Sequence, residues 1–175
     1  MKAAFKQQQM NVSKRTAKLF LQGDEDATSE VYYAYRKLLF FIISNYVDGE
    51  QDREDVYQEV FAKVFEHRCD CAKAEGLHYY LCQVAKTTAI DFGRKKSNKI
   101  YEPFEEETVP SSGDSNLDSY LDQFSLDPDE RAIAGYRFGF GLSWKEIVDL
   151  TGIPMSTAKL RCKQALGKIK KELEK

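Results

Sequence analysis

Apolar residues recur every three or four positions along almost the whole chain. That spacing is the period of an amphipathic α-helix, whereas a half-buried strand would alternate apolar and polar residues. Segments with strict alternation between hairpin turns are absent from the sequence. The pattern therefore predicts an all-α protein.

The helical pattern stops between residues 101 and 122, where the sequence reads "YEPFEEETVPSSGDSNLDSYLD". Proline, glycine and small polar residues are concentrated there together with many carboxylates, and this composition is typical of a linker. We therefore predict a flexible acidic linker over residues 101–122. It would join an N-terminal helical domain, residues 1–100, to a smaller C-terminal helical domain, residues 123–175.

The net charge of -2 conceals an uneven distribution of charge along the chain. Basic residues outnumber acidic ones in residues 1–22, 77–100 and 151–175, while acidic residues dominate residues 23–76 and 101–130. Because salt screens each field within about 8 to 10 Å, a distant acidic segment does not neutralise a basic surface. The basic segments can therefore bind an anionic partner such as nucleic acid.

Neither a membrane span nor a secreted disulfide scaffold is predicted. The most apolar run, "LLFFIISNYV", is shorter than the roughly 20 residues that cross a bilayer. The four cysteines do not follow a scaffold spacing, so we expect reduced thiols and a cytoplasmic protein without direct membrane insertion. No grouping of nucleophile, base or phosphate-binding loop indicates an enzyme or a cofactor.

A metal or redox centre is an alternative use of the residues around the sequence "HRCDC". The candidate ligands are His67, Cys69, Cys71, His78 and Cys82. A C-x-C pair is tighter than the usual C-x2-C spacing of zinc sites, so buried or incidental thiols are the competing interpretation.

The C-terminal domain divides into three predicted helices that form a helix-turn-helix motif. The first covers about residues 127–138, and the second begins at Ser143, which forms an S-x-x-E capping box with Glu146. Gly152 ends the second helix, and Pro154 suits the first turn of the third. In such a motif the last helix lies in the DNA major groove.

The predicted third helix has an apolar stripe at Ala158, Cys162, Ala165 and Ile169. Its other face carries side chains that can donate to base edges or neutralise phosphates. These candidates for DNA binding are Ser156, Thr157, Lys159, Leu160, Arg161, Lys163 and Gln164. A lysine-rich face in contact with solvent alone is the competing interpretation, but the capping box, the glycine turn and the stripe together favour DNA binding.

In the N-terminal domain, "QDREDVYQEVFAKVFEHR" predicts a helix with a broad apolar face. Its polar face, here called the acidic stripe, consists of Asp55, Gln58, Glu59, Ala62 and Glu66. The acidic stripe is either a solvated surface or a docking surface for a basic helix, and the residues alone do not decide between the two.

The next predicted helix is "GLHYYLCQVAKTTAIDFGRKKSNK". Its expected buried positions are Leu77, Leu81, Val84, Thr88 and Phe92, and its far side carries Gln83, Lys86, Ile90 and Arg94. A polar and basic face near tyrosines suits single-stranded nucleic acid, whose bases stack and whose phosphates pair with lysine. Alternatively, the tyrosines belong to the core and the basic cluster complements the C-terminal helix dipole.

Taken in this order, the segments resemble a bacterial RNA polymerase sigma factor of the extracytoplasmic-function group. "EDVYQEVFAKVFEHR" resembles the family's D-L-V-Q-E-V-F segment, and "LHYYLCQVAKTTAIDFGRKK" resembles F-R-A-W-L-x-R-I-A-R-N-x-x-x-D-x-x-R-R. "GLSWKEIVDLTGIPMSTAKLRCKQAL" resembles G-L-S-Y-K-E-I-A-E-I-L-G-I-P-x-G-T-V-K-S-R-L-x-R-A. The resemblance runs from about Tyr32 to Leu173.

The resemblance implies a sigma factor that binds core RNA polymerase and directs promoter-specific initiation. Contact with the clamp of the largest subunit is implied for Asp55, Val56, Tyr57, Gln58, Glu59, Phe61, Ala62 and Glu66. Contact with the melted minus-ten strand is implied for Asp70, Tyr80, Gln83, Lys86, Thr87, Ile90, Arg94 and Lys95. The last helix would recognise the minus-thirty-five duplex, and the second-largest subunit and an anti-sigma factor are implied as further partners. The acidic linker would occupy the cationic channel near the RNA exit path.

Some residues depart from the family pattern. Gln83, Lys86 and Thr87 stand where the family usually has Arg, Arg and Asn, so we expect an unusual base preference in strand melting. Gly135 and Gly139 replace larger residues in a helix, where each glycine costs up to about 1 kcal/mol relative to alanine. We therefore expect the C-terminal domain to be loosely packed before it meets polymerase.

A stand-alone helix-turn-helix regulator is the alternative to a sigma factor. It would keep the DNA-binding C-terminal domain and use the N-terminal domain for dimerisation or ligand binding. Copurification with core polymerase separates the two hypotheses.

Overall fold

The computed structural model describes residues 12–67, 76–98 and 116–174. Within these ranges the chain is helical and contains no strand, which confirms the all-α prediction. The helices are α1 (Lys14–Gln22), α2 (Glu25–Ser44), α3 (Glu50–Glu66), α4 (Leu77–Asn98), α5 (Asn116–Leu121), α6 (Pro128–Ala134), α7 (Trp144–Thr151) and α8 (Met155–Leu173). A π-helical turn, Gly135–Gly139, continues directly from α6.

Local capping determines how α1 is joined to α2. The Ser13 side chain accepts a hydrogen bond from the Thr16 backbone N–H at 3.0 Å, and Asp24 accepts one from Ala27 at 2.8 Å. Each bond satisfies an N–H that a helix start leaves unpaired. Gly23 closes α1 in the left-handed conformation, with φ of 87°. Two residues, Gly23 and Asp24, are therefore enough to join the helices.

Helices α2, α3 and α4 pack around the N-terminal core. Its fully buried apolar side chains include Val31, Leu38, Leu39, Ile42, Ile43, Val56, Tyr57, Val60, Val64, Leu81, Ala85 and Ala89. A buried hydroxyl is costly without a partner, and that of Tyr57 donates to the Tyr32 carbonyl oxygen at 2.6 Å. Burial also raises the pKa of Tyr57, so the neutral phenol ties α3 to α2.

The C-terminal helices follow the predicted helix-turn-helix. The Ser143 hydroxyl accepts from the Glu146 N–H at 3.3 Å, and the Glu146 carboxylate accepts from the Ser143 N–H at 2.7 Å. This is the predicted capping box at the start of α7. Gly152 ends α7 with φ of 72°, and α8 begins directly after Pro154.

The first C-terminal helix is more elaborate than its sequence pattern indicates. We predicted one helix over about residues 127–138, and the structure divides this segment into α6 and the π-helical turn. A second capping box, formed by Asp127 and Glu130, begins α6. Its pattern, an acidic N-cap followed three residues later by Glu, is visible in the sequence.

The end of the predicted linker is folded. Residues 101–115 lie outside the described residues, but Asn116–Leu121 forms α5. Leu121 is fully buried, and buried Asp118 pairs with Arg131 at 2.8 Å. The composition of this segment alone did not predict a helix. Burial of Leu121 and the ion pair of Asp118 with Arg131 stabilise α5 although its sequence is rich in serine and aspartate.

The two groups of helices share one continuous apolar core. The ring of Phe41, from α2, lies 5.3 Å from that of Tyr136 and 5.4 Å from that of Phe140. The Asn45 side-chain amide donates to the Tyr136 hydroxyl at 3.2 Å. The N-terminal and C-terminal helices thus pack directly against each other.

Gly135 and Gly139 are positions of close packing. A Cβ on Gly135 would overlap the ring of Phe41, and one on Gly139 would overlap the side chain of Leu117. Each glycine therefore lets a neighbouring side chain approach the backbone directly. The expectation that they loosen the C-terminal helices was wrong, because their missing side chains make room for other core residues.

Candidate nucleic-acid and polymerase interfaces

Helix α8 presents an exposed polar face that its buried stripe holds in place. Ala158, Cys162, Ala165 and Ile169 are buried, as predicted. The opposite side, here called the recognition face, is exposed and consists of Ser156, Thr157, Lys159, Leu160, Lys163 and Gln164. Leu160 is 56% exposed, so an apolar side chain stands among the polar ones. The structure brings six of the seven predicted DNA-binding residues of α8 onto one free surface.

Arg161 is the exception among the predicted residues of α8. Its Nη1 lies 3.4 Å from Asp127 Oδ1 and 3.2 Å from Asp129 Oδ2, and both carboxylates belong to the start of α6. Lys168 likewise pairs with the buried carboxylate of Glu130. These two cations thus fasten α8 to α6. Sequence spacing could not reveal this, because the partners lie more than thirty residues away.

The predicted minus-ten residues of α4 occupy two different environments. Thr87, Arg94 and Lys95 are exposed. Tyr80, Gln83, Lys86 and Ile90 are partly buried, and Asp70 lies outside the described residues. The Thr87 hydroxyl donates to the Gln83 carbonyl oxygen of the same helix at 3.0 Å. Some of the predicted minus-ten side chains of α4 are therefore exposed to solvent, and the others are partly buried.

Helix α7 packs on the side of α4 that carries His78 and Lys86. Lys86 Nζ donates to the Asp149 carbonyl oxygen at 3.4 Å. His78 Nε2 lies 3.3 Å from Glu146 Oε1. The Gln83 Nε2 atom is buried and has no hydrogen-bond partner among the described residues. These contacts join the predicted minus-ten helix to the first helix of the helix-turn-helix, and sequence analysis missed them.

Two titratable groups meet at this junction. Burial lowers the pKa of His78, although the nearby Glu146 carboxylate acts in the opposite direction. Burial acts to raise the pKa of Glu146, but hydrogen bonds from Ser143 and the proximity of His78 together hold it below its usual value. Near neutral pH the pair is therefore a neutral imidazole beside a carboxylate.

Helix α3 carries the acidic stripe on its outer side. Asp55, Gln58, Ala62 and Glu66 are exposed, while Glu59 is partly exposed and pairs with Lys63 at 2.7 Å. Val56, Tyr57 and Phe61 were also predicted to contact polymerase, and the structure buries all three in the core. These side chains support the stripe from behind, and their contact with polymerase stays a prediction.

The residues proposed as metal ligands do not assemble into a site in the part of the chain that the structure describes. No group of three or more His, Cys, Asp or Glu residues there could hold a metal ion. Cys69 and Cys71 lie outside that part. Cys82 and Cys162 are free and buried, and burial raises the pKa of each thiol. The buried-thiol interpretation accounts for these two cysteines.

Comparison with known families accounts for the arrangement of α2, α3 and α4. Residues 31–99 match the model described as Sigma-70 region 2, which covers most of α2 and the whole of α3 and α4. This part of the chain is therefore similar to region 2 of the sigma-70 family. Within that family, region 2 is the part that binds core RNA polymerase and promoter DNA. A search of curated proteins finds no match to this chain. None of its described helices combines the length and the apolar character needed to cross a membrane.

Proposed function

We propose that this protein is an extracytoplasmic-function sigma factor that binds core RNA polymerase and selects promoters for transcription initiation. The observation that carries the proposal is the match of residues 31–99 to Sigma-70 region 2. Within these residues α3 presents the acidic stripe, and α4 presents the exposed basic side chains of Arg94 and Lys95. Since transcription takes place in the cytoplasm, the protein would act there.

The acidic stripe is the proposed contact with the polymerase. Its exposed carboxylates suit a basic surface on the clamp of the largest subunit, and electrostatic attraction would accelerate binding. The second-largest subunit is proposed to receive the acidic segment between α4 and α5, whose sequence from residue 101 to 115 contains no Lys or Arg. The acidic stripe and this acidic segment would therefore both contact subunits of the polymerase.

The proposed DNA contacts divide between α4 and α8. Arg94 and Lys95 on α4 would neutralise phosphates of the melted minus-ten strand, while Gln83 and Lys86 would contact its bases. The recognition face of α8 would enter the major groove of the minus-thirty-five duplex. An anti-sigma factor remains a predicted partner, on the basis of family resemblance alone.

Transcription in vitro tests the proposal directly. The full chain is mixed with bacterial core polymerase and a promoter library, and transcripts with defined start sites are expected. Glu59→Lys should abolish assembly with core, because it reverses a charge in the centre of the acidic stripe. Glu174→Lys makes the same charge change at the exposed end of α8 and should assemble normally.

Two results would count against the proposal. Normal assembly of Glu59→Lys would remove the acidic stripe as the docking surface. A wild-type chain that binds duplex DNA but neither joins core polymerase nor supports initiation would instead favour the stand-alone regulator.

A further inference from the structure

Leu160 is an apolar side chain in the centre of the otherwise polar recognition face of α8. It is 56% exposed, whereas Ala158 and Cys162, two residues before and after it, are buried. Because two residues turn an α-helix by about 200°, Leu160 points almost directly away from the buried stripe. Its neighbours one helical turn away, Ser156 and Gln164, are exposed polar side chains. A partner that meets the middle of this face therefore meets Leu160.

Packing within the protein does not account for the position of Leu160. It belongs neither to the apolar core of the described residues nor to the side chains that pack against that core. A single exposed leucine is common on a protein surface and by itself indicates no site. What distinguishes this leucine is its position between cations and hydrogen-bonding groups, on a surface proposed to enter the major groove.

Lysine side chains lie to one side of Leu160. Lys159 and Lys163, one helical turn apart, are both exposed. The Nζ atom of Lys159 lies 5.9 Å from the centre of the Trp144 ring, whose electron-rich face attracts a cation. Phosphate contacts fix the position of a protein on a duplex, and neighbouring side chains then meet the base edges. With these lysines on phosphates, Leu160 would face the bases.

The recognition face contains no arginine, the side chain that most often reads guanine in the major groove. Arg161 follows Leu160 in sequence, but its guanidinium pairs with Asp127 and Asp129 at the start of α6. Among the side chains that form the face, that of Leu160 alone is entirely hydrocarbon. The face thus lacks the usual reader of guanine and has an apolar group in its centre.

Thymine is the base whose major-groove edge carries an apolar group. Guanine, adenine and cytosine are read there by their hydrogen-bond donors and acceptors, whereas thymine adds a 5-methyl group to its O4 acceptor. A leucine against this methyl group removes apolar surface from water, which is favourable. Against another base it would cover a donor or acceptor without replacing the lost hydrogen bond to water, which is unfavourable. The same side chain therefore favours thymine and opposes the other bases.

We propose that Leu160 determines part of the sequence preference of α8 by binding the 5-methyl group of a thymine in the minus-thirty-five duplex. The inference rests on the proposed function and names a base feature that the recognition face reads. The preferred element would contain a thymine that uracil cannot replace without loss of affinity.

Exchange of thymine for uracil tests the inference, because deoxyuridine lacks only the 5-methyl group. Duplexes are first selected from a random pool, both with the full chain alone and with the full chain bound to core polymerase. Each thymine of the selected duplex is then replaced singly by deoxyuridine, and affinity is measured by fluorescence anisotropy. We expect one replacement to weaken wild-type binding about fourfold, as for the loss of one buried methyl group.

Variants of the full chain assign the effect to one side chain. Leu160→Ala should bind the thymine and uracil duplexes equally, whereas Leu160→Met keeps a long apolar side chain and should still prefer thymine. Leu173→Ala is the matched control, because Leu173 is 59% exposed and is the last residue of α8. Thr157→Ser removes the methyl group that Thr157 adds to the face and keeps its hydroxyl. Both controls should retain the wild-type preference. Since all these side chains are exposed, we expect circular dichroism unchanged from the wild type.

Three results would overturn the inference. The first is a wild-type affinity that no single uracil replacement lowers. The second is a thymine preference that survives unchanged in Leu160→Ala; its loss in Thr157→Ser would then assign the methyl contact to Thr157. The third is a random pool from which neither the free chain nor its complex with core polymerase selects a sequence, because the recognition face would then read no base.

Initiation with core polymerase separates this inference from the proposed function. If the wild-type chain neither assembles with core polymerase nor supports initiation, the proposed function fails. If it initiates equally well on promoters whose minus-thirty-five element contains thymine or uracil, the proposed function stands and only the methyl contact fails.

Discussion

The outer faces of α8 and α4 carry similar side chains in different surroundings. Both combine amide, hydroxyl and basic groups, and both are proposed to bind promoter DNA. The recognition face of α8 is exposed, whereas Gln83 and Lys86 of α4 are partly buried and Lys86 contacts α7. The proposed duplex-binding surface is therefore open, and the proposed surface for melted DNA is partly buried.

This difference suggests an order for the proposed DNA contacts. Duplex binding by α8 requires no rearrangement of the described helices. Base contacts by α4 require α7 to move, and that movement separates an apolar junction shared by the two groups of helices.

The largest expected effect comes from the aromatic side chain at the junction. Phe41→Ala should reduce the free energy of unfolding by about 3 to 5 kcal/mol, because it removes a buried ring and leaves a cavity. Urea denaturation followed by circular dichroism measures the change. Tyr33→Ala, on the same helix but 72% exposed, should change stability by only about 0.5 kcal/mol. Similar losses for both variants would mean that the junction contributes little to stability.

A smaller effect distinguishes two residues of α8 that sequence patterns treat alike. Gln164→Ala should weaken binding to a duplex selected from a random pool by about 1 to 3 kcal/mol if its amide reads a base. Arg161→Ala should leave the selected sequence unchanged and reduce unfolding stability by about 1 kcal/mol or less, since its partners are Asp127 and Asp129. Fluorescence anisotropy and urea denaturation separate the two effects. If Arg161→Ala changed the selected base sequence, Arg161 would contact DNA as part of the recognition face.

The contrast also shows which features could be predicted from sequence. The Ser143 capping box, the Gly152 stop and the buried stripe of α8 depend on residues within one or two helical turns of each other. Such local signals are readable because helix geometry alone links spacing to position. The helix-turn-helix could therefore be predicted almost completely.

The covered face of α4 could not be predicted in this way. The Phe41 ring meets Gly135 across more than ninety residues of sequence, and Lys86 meets Asp149 across more than sixty. Glycine has a low intrinsic helix propensity, which is why Gly135 was expected to loosen its helix. Its close packing against Phe41 outweighs this propensity. Buried Val56, Tyr57 and Phe61 show the same limit: a family segment predicts the helix, and tertiary packing decides which of its side chains are exposed.

The smallest expected effect is a pH dependence of the junction between α4 and α7. His78 packs beside Tyr35 and Glu146, and burial lowers its pKa below its ordinary value of 6.5. As pH falls below about 6.5, the unfolded state therefore binds the proton first, and stability declines. The Glu146 carboxylate, whose pKa is also lowered, loses its contribution only at lower pH, below its ordinary value of 4.5. Urea midpoints measured between pH 7.5 and 5.5 should fall for the wild type and for His67→Gln, and stay nearly level for His78→Gln. An equal slope in all three would assign the pH dependence to groups away from the junction and leave α7 bound to α4 by packing alone.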